Sequence, residues 1–108
     1  MQQRMAAFTD RLLQTLPSTH AEWLSLAHQA AELRVDILSH YGKALLKLCE
    51  DDAGRATAFA VIKILATAAG IEISSEILTA TLTDSAIEIS GLLSSMSRDL
   101  QEARFGAL

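Results

Sequence analysis

Residues 56–71 carry a single charge, that of Lys63, and this stretch limits what the chain can become. A helix of that composition is apolar almost all round, so other elements must wrap it. It is also shorter than the roughly 20 residues that cross a bilayer, and it reads as a buried helix. Asp51, Asp52 and Gly54 mark a turn, and Asp51 or Asp52 can cap a helix over residues 53–69. Gly70 supplies a left-handed stop, and Ile71 can fold back on the last turn. The expectation is a helix at the centre of the core.

The rest of the chain has few of the residues that punctuate strands and tight turns, with one proline and five glycines in 108 residues. That length supports one core and not two. The expected fold class is all-α, a single domain over residues 1–108 built as a small bundle of four or five helices. In residues 1–16, Met5, Phe8, Leu12 and Leu16 stand at helical spacing with Arg4 and Arg11 toward the other side, and Pro17 ends the segment. Thr19 stands three residues before Glu22 in capping-box order. A long second helix is expected from there, over residues 20–50.

Two adjacent apolar stripes run along that second segment. One contains Trp23, Leu26, Ala30, Leu33, Ile37 and Ala44, the other Leu24, Ala27, Ala31, Leu38, Tyr41, Leu45 and Leu48. Gly42 lies inside the pattern and costs about 1 kcal/mol relative to alanine, enough to allow a kink. Ser74 or Ser75 can start a fourth helical region. Thr83, Asp84 and Ser85 either break it or recap it, since Ser85 and Glu88 form a second capping-box pair. A stripe through Leu82, Ala86, Ile89, Leu93, Met96, Leu100 and Ala103 follows, with Ser90, Gly91, Ser94 and Ser95 opposite. The rival reading makes residues 70–90 a β-hairpin, because Ile71, Ile73, Leu82, Ile87 and Ile89 also alternate.

About 30 residues of continuous helix span about 45 Å, whereas a globule of this size is about 35 Å across. The long helices should therefore overhang, so that either Gly42 and Thr83 bend them back or a second chain covers the excess; the expectation is a homodimer through the second and fourth helices. The interface candidates are Trp23, Leu26, Leu33, Ile37, Tyr41, Leu45, Ile89, Leu93, Met96, Leu100 and Phe105. Trp23 and Tyr41 are the first anchors to test, because such rings often dominate interfaces, although core packing is the preferred reading of both. Phe105 and Leu108, beyond the last turn, form a second candidate contact.

Catalytic machinery is not expected. His28, Glu32, Asp36 and His40 form a row at four-residue spacing, but the row is too long for one ion and lacks the Glu-x-x-His spacing of di-iron bundles. Cys49 falls near a helix C-terminus, where the dipole disfavours a thiolate. Neither a Gly-x-Ser-x-Gly turn nor a phosphate-cradling loop is present. The expectation is no enzyme, with no catalytic, metal or cofactor-binding residues.

Charge distribution says more about partners. The formal charge is −4, and residues 64–97 contain Glu72, Glu76, Asp84 and Glu88 with no Lys or Arg. Such a face repels phosphate backbones and could attract a basic patch on another protein, although a solvated acidic surface is the preferred reading. Leu65, Ala66, Gly70 and Ile71 resemble the first helix and turn of a helix-turn-helix motif, provided that Ile77 supplies the buried aliphatic of its second helix. That motif would make the chain a DNA-binding regulator, but no cation between Glu72 and Ile89 is available for phosphates or guanine edges. Membrane-surface helices pair an apolar face with several cations, and the first segment offers only Arg4 and Arg11, offset by Asp10. Neither nucleic acid nor membrane is expected as a partner. Arg4, Asp10 and Arg11 interrupt the run that a signal peptide would need. With a lone cysteine, the expectation is a cytoplasmic protein. The function expected is that of a small regulator or adaptor, of inhibitor, anti-activator, immunity or chaperone type, acting on another protein as a homodimer.

Overall fold

A computed structural model describes residues 16–107. The first expected helix and Leu108 lie outside these, apart from Leu16. The described chain is mostly helical: α1 (His20–Leu33), β1 (Val35–Asp36), α2 (Gly42–Leu48), α3 (Asp52–Ala69), α4 (Ser75–Leu82), α5 (Ala86–Glu102) and β2 (Gly106–Ala107).

Local chemistry accounts for the helix starts. The Thr19 hydroxyl accepts from the Glu22 N–H at 3.1 Å, and the Glu22 carboxylate reaches back to the Ser18 N–H at 2.9 Å. Asp51 accepts from Gly54 N–H at 2.6 Å, Ser74 from Ile77 N–H and Ser85 from Glu88 N–H, the last two at 3.4 Å. Each satisfies an amide that the helix itself leaves unpaired. The caps on α4 and α5 also overturn the hairpin reading of residues 70–90. Alternating isoleucines favour a strand only where no cap offers the backbone a better set of partners. The end of α3 is as expected: Gly70 is left-handed with φ 72°, and the Ile71 N–H donates to the Ala66 carbonyl at 2.8 Å.

The long second helix is not formed. Arg34 adopts left-handed geometry with φ 56°, and the chain runs extended through Val35 and Asp36 before a turn leads into α2. The apolar pattern continues across the break because Val35, Asp36, Ile37 and Leu38 are all buried. Such a run satisfies helical spacing and an enclosed extended segment equally. What selects the second is distant: Val35 and Asp36 pair in parallel with Gly106 and Ala107. Gly42 is accordingly the first residue of a helix and not a kink within one.

His20 Nδ1 lies 2.6 Å from the Thr57 hydroxyl near the start of α3, and Arg34 contacts the Ala68 carbonyl near its end. α1 and α3 therefore run in the same direction, with α2 as the return. α3 touches all four of the other described helices, the central place expected for it. Its 18 residues span about 27 Å, well within a long axis of 39 Å. Lys63, the one charge within residues 56–71, donates to the Ile73 carbonyl at 3.2 Å.

The turn between α2 and α3 depends on Gly54. A Cβ there would stand 1.8 Å from the Leu48 carbonyl oxygen and 2.7 Å from its carbon. Helix propensity alone would make Gly54→Ala stabilising by up to about 1 kcal/mol. The backbone clash opposes this with about 1–3 kcal/mol or more. We expect Gly54→Ala to lower Tm by at least 5 °C in a thermal melt, whereas Gly42→Ala, where a Cβ meets nothing within 4 Å, leaves Tm unchanged or raised.

Candidate functional site

Two arrangements stand out from the remaining structure. One is a buried polar node at the chain closure, the other an acidic and apolar surface on α4 and α5. At the node, Asp36 is wholly buried. Its Oδ1 accepts from the Leu38 N–H at 3.0 Å, and its Oδ2 accepts from the Ser97 hydroxyl and from Gln101 Nε2, the latter at 3.1 Å. The Ser97 hydroxyl donates its proton to the carboxylate, and the arrangement ties α5 to β1.

Arg34 joins the same region from outside. Its guanidinium donates to the Ala103 carbonyl at 2.6 Å and to the Ala68 carbonyl at 3.5 Å, and covers the Phe105 ring at 4.5 Å. One cation thus meets the carbonyl ends of α3 and α5, where the helix dipoles favour positive charge. The Arg34 carbonyl accepts from the Gly106 N–H at 2.8 Å, which sets the β1–β2 pairing.

The interface candidates mostly lie elsewhere than a surface. Trp23, Leu26, Ile37, Tyr41, Leu45, Ile89, Leu93, Met96, Leu100 and Phe105 are buried within the chain's own core, and Leu33 packs against it half-buried. Trp23 and Tyr41 meet each other edge to face, with ring centroids 5.6 Å apart. The reason is the break after Leu33: once α1 and α2 separate, their stripes face inward from two directions, and the chain covers them itself. The row of His28, Glu32, Asp36 and His40 is divided by the same break. Asp36 turns inward while His28, Glu32 and His40 stay exposed, and the His40 ring stands edge-on to Tyr41 at 4.8 Å. Among the described residues, no group of three His, Cys, Asp or Glu side chains gathers.

What is left outside is the acidic segment. Ile77 on α4 is 63% exposed and Ile87 on α5 is 81% exposed, and Glu72, Glu76, Asp84 and Glu88 are exposed around them in sequence. Ser90, Gly91, Ser94 and Ser95 on α5 are exposed as well, and a Cβ on Gly91 would meet nothing within 4 Å. The buried aliphatics on α4 are Leu78 and Leu82, so Ile77, which is exposed, does not take the inward place that the helix-turn-helix alignment needs. Sequence reasoning passed over Ile77 and Ile87 as site residues. Their signal was present: Ile87 falls off the stripe of Ala86, Ile89, Leu93 and Met96, on the opposite side of the helix. No helix among the described residues is long and apolar enough to cross a membrane.

Cys49 closes α2 and is buried. Burial pushes its thiol pKa up, partly offset by the nearby Arg55 guanidinium, which also donates to the Cys49 carbonyl at 3.0 Å. A raised folded-state pKa means that stability is complete below the ordinary thiol value near 9.0 and falls as pH rises toward the folded value. We expect urea midpoints to decline from about pH 9, Cys49→Ala to flatten that decline, and iodoacetamide to modify the native thiol at least tenfold more slowly than the unfolded one. No family model matches the chain, and neither a curated protein nor a solved structure matches it.

Proposed function

We propose that the chain is a protein-binding module whose contact surface is the outer side of α4 and α5. The observation that carries this reading is the exposure of Ile77 and Ile87 in a segment whose charged residues are all acidic. Full burial of one such side chain is worth about 1.5–3 kcal/mol, while the carboxylates steer toward lysine- and arginine-bearing surfaces. The small residues on α5 permit a partner helix to approach closely. The partner is therefore a protein with an apolar strip flanked by basic residues.

A second copy of the same chain fits this surface poorly, because two faces of this composition bring like charges together. The earlier ground for a homodimer was an unbroken second helix with surplus stripe, and that ground is removed by the break at Arg34. The module is read as a regulator or adaptor without catalysis, and its regulatory role follows from the protein that it holds.

The test is affinity capture from the native host with the wild-type chain and with a double variant, Ile77→Ser and Ile87→Ser. Both positions are exposed, so the variant should melt within about 2 °C of wild type. One stoichiometric partner is expected with the wild type, bound at least tenfold more weakly by the variant and more weakly at high salt. Equal binding by the variant, or recovery of nucleic acid in place of protein, would overturn the reading.

A further inference from the structure

We infer that the depression between α1 and α3 binds a small amphiphilic carboxylate, a free molecule with one acid group on a short hydrocarbon body, held at its acid end by Lys63. This surface is a different one from the outer side of α4 and α5, and the inference does not rest on that reading.

The first observation is an ammonium with donors to spare. Lys63 is the only Lys or Arg in residues 56–97, and it stands near the middle of the most apolar helix. Its side chain is half-buried. An ammonium has three protons to donate. One goes to the Ile73 carbonyl at 3.2 Å, and among the described residues no acceptor meets the others.

The second observation is the shape around it. A depression of about 390 Å3 is walled by His28 and Ala31 of α1 and by Lys63, Ile64, Thr67 and Ala68 of α3. His28 and Ala31 are one turn apart, as are Lys63 and Thr67, so the depression follows the seam between the two parallel helices. Its volume lies within the roughly 300–1,000 Å3 of small-molecule sites. Ala31, Ile64 and Ala68 offer an apolar floor to a hydrocarbon body, while Lys63, Thr67 and His28 supply an ammonium, a hydroxyl and an imidazole for the acid group.

Charge decides the sign of the occupant. In the cleft between α3 and α4, Arg55 is already paired with Asp52, and the hollow walled by Gly70, Ile71 and Ser74 also includes Glu72. The walls of the α1–α3 depression contain no carboxylate. Arg34 reaches the Ala68 carbonyl at 3.5 Å and adds a second cation beside the same wall, against Glu32 one turn from His28. Helix dipoles oppose an anion only in the last turn, and His28 and Lys63 stand more than one turn before the ends of α1 and α3 at Leu33 and Ala69. A membrane surface calls for several cations along one apolar face, which this seam does not have. One acid group on a short apolar body matches one ammonium beside a small apolar floor.

The experiment titrates octanoate into the isotope-labelled full chain and follows the backbone amides by NMR. Saturable shifts are expected at Ala31, Ile64, Thr67 and Ala68, with half-saturation below about 1 mM. Lys63→Met keeps the apolar stem and removes the ammonium, and is expected to weaken binding at least tenfold. Thr67→Glu, at an exposed position, sets a carboxylate one turn from Lys63 and is expected to weaken binding as much while leaving the Ile73 contact in place. Octanamide, which has no charge, and acetate, which has no hydrocarbon, are each expected to bind at least tenfold more weakly than octanoate. Undiminished binding by either variant, equal binding of octanamide, shifts centred on Ala56 and Phe59 or on α4 and α5, or no saturation by about 10 mM would each overturn the inference.

Discussion

The buried carboxylate of Asp36 is the interaction on which the rest of this architecture depends. A carboxylate removed from water is costly unless its oxygens find donors, and here one comes from its own turn and two from α5, more than 60 residues away in sequence. Those donors fix the position of β1, and β1 fixes the angle between α1 and α2. Without that anchor the apolar run from Leu33 to Tyr41 is compatible with continuous helix. With it, the chain turns back and the two stripes enclose one another. Among the described residues, no buried side-chain nitrogen or oxygen is left without a hydrogen-bond partner.

Arg34 completes this closure from the solvent side. A non-glycine residue in left-handed geometry costs roughly 1–2 kcal/mol, and the chain accepts that cost at Arg34 and again at Arg104. At Arg34 the compensation is visible in the carbonyl ends of two helices and the face of Phe105, all met by one guanidinium. At Arg104 the local geometry lets Phe105 fold under the last turn, its N–H donating to the Leu100 carbonyl at 2.9 Å. Helix termini, usually treated as local matters, here hold residues 34–36 to the last residues of the described chain.

The same closure decides which residues are free to bind. Trp23, Tyr41 and Phe105 are the rings that would ordinarily be sought at an interface, and all three are used inside. The surface is left with aliphatic side chains among carboxylates, a composition suited to a contact guided by charge and completed by a few apolar groups.

Much of the helical content can be read directly from the residues. Thr19, Asp51, Ser74 and Ser85 start helices where their side chains cap them, Gly70 stops one, and the nearly uncharged stretch around Lys63 lies at the centre, because capping and burial periodicity act over a few residues and leave a local signature. The break at Arg34, the inward turn of Asp36 and the pairing of residues 35–36 with 106–107 have no such signature. They arise from partners at the far end of the chain, and a stripe that serves a helix serves an enclosed extended segment just as well. The candidate surface followed from that decision: until the fold had taken the large rings for its interior, nothing in their spacing distinguished core from contact, and Ile77 and Ile87 became candidates only because the fold left them outside.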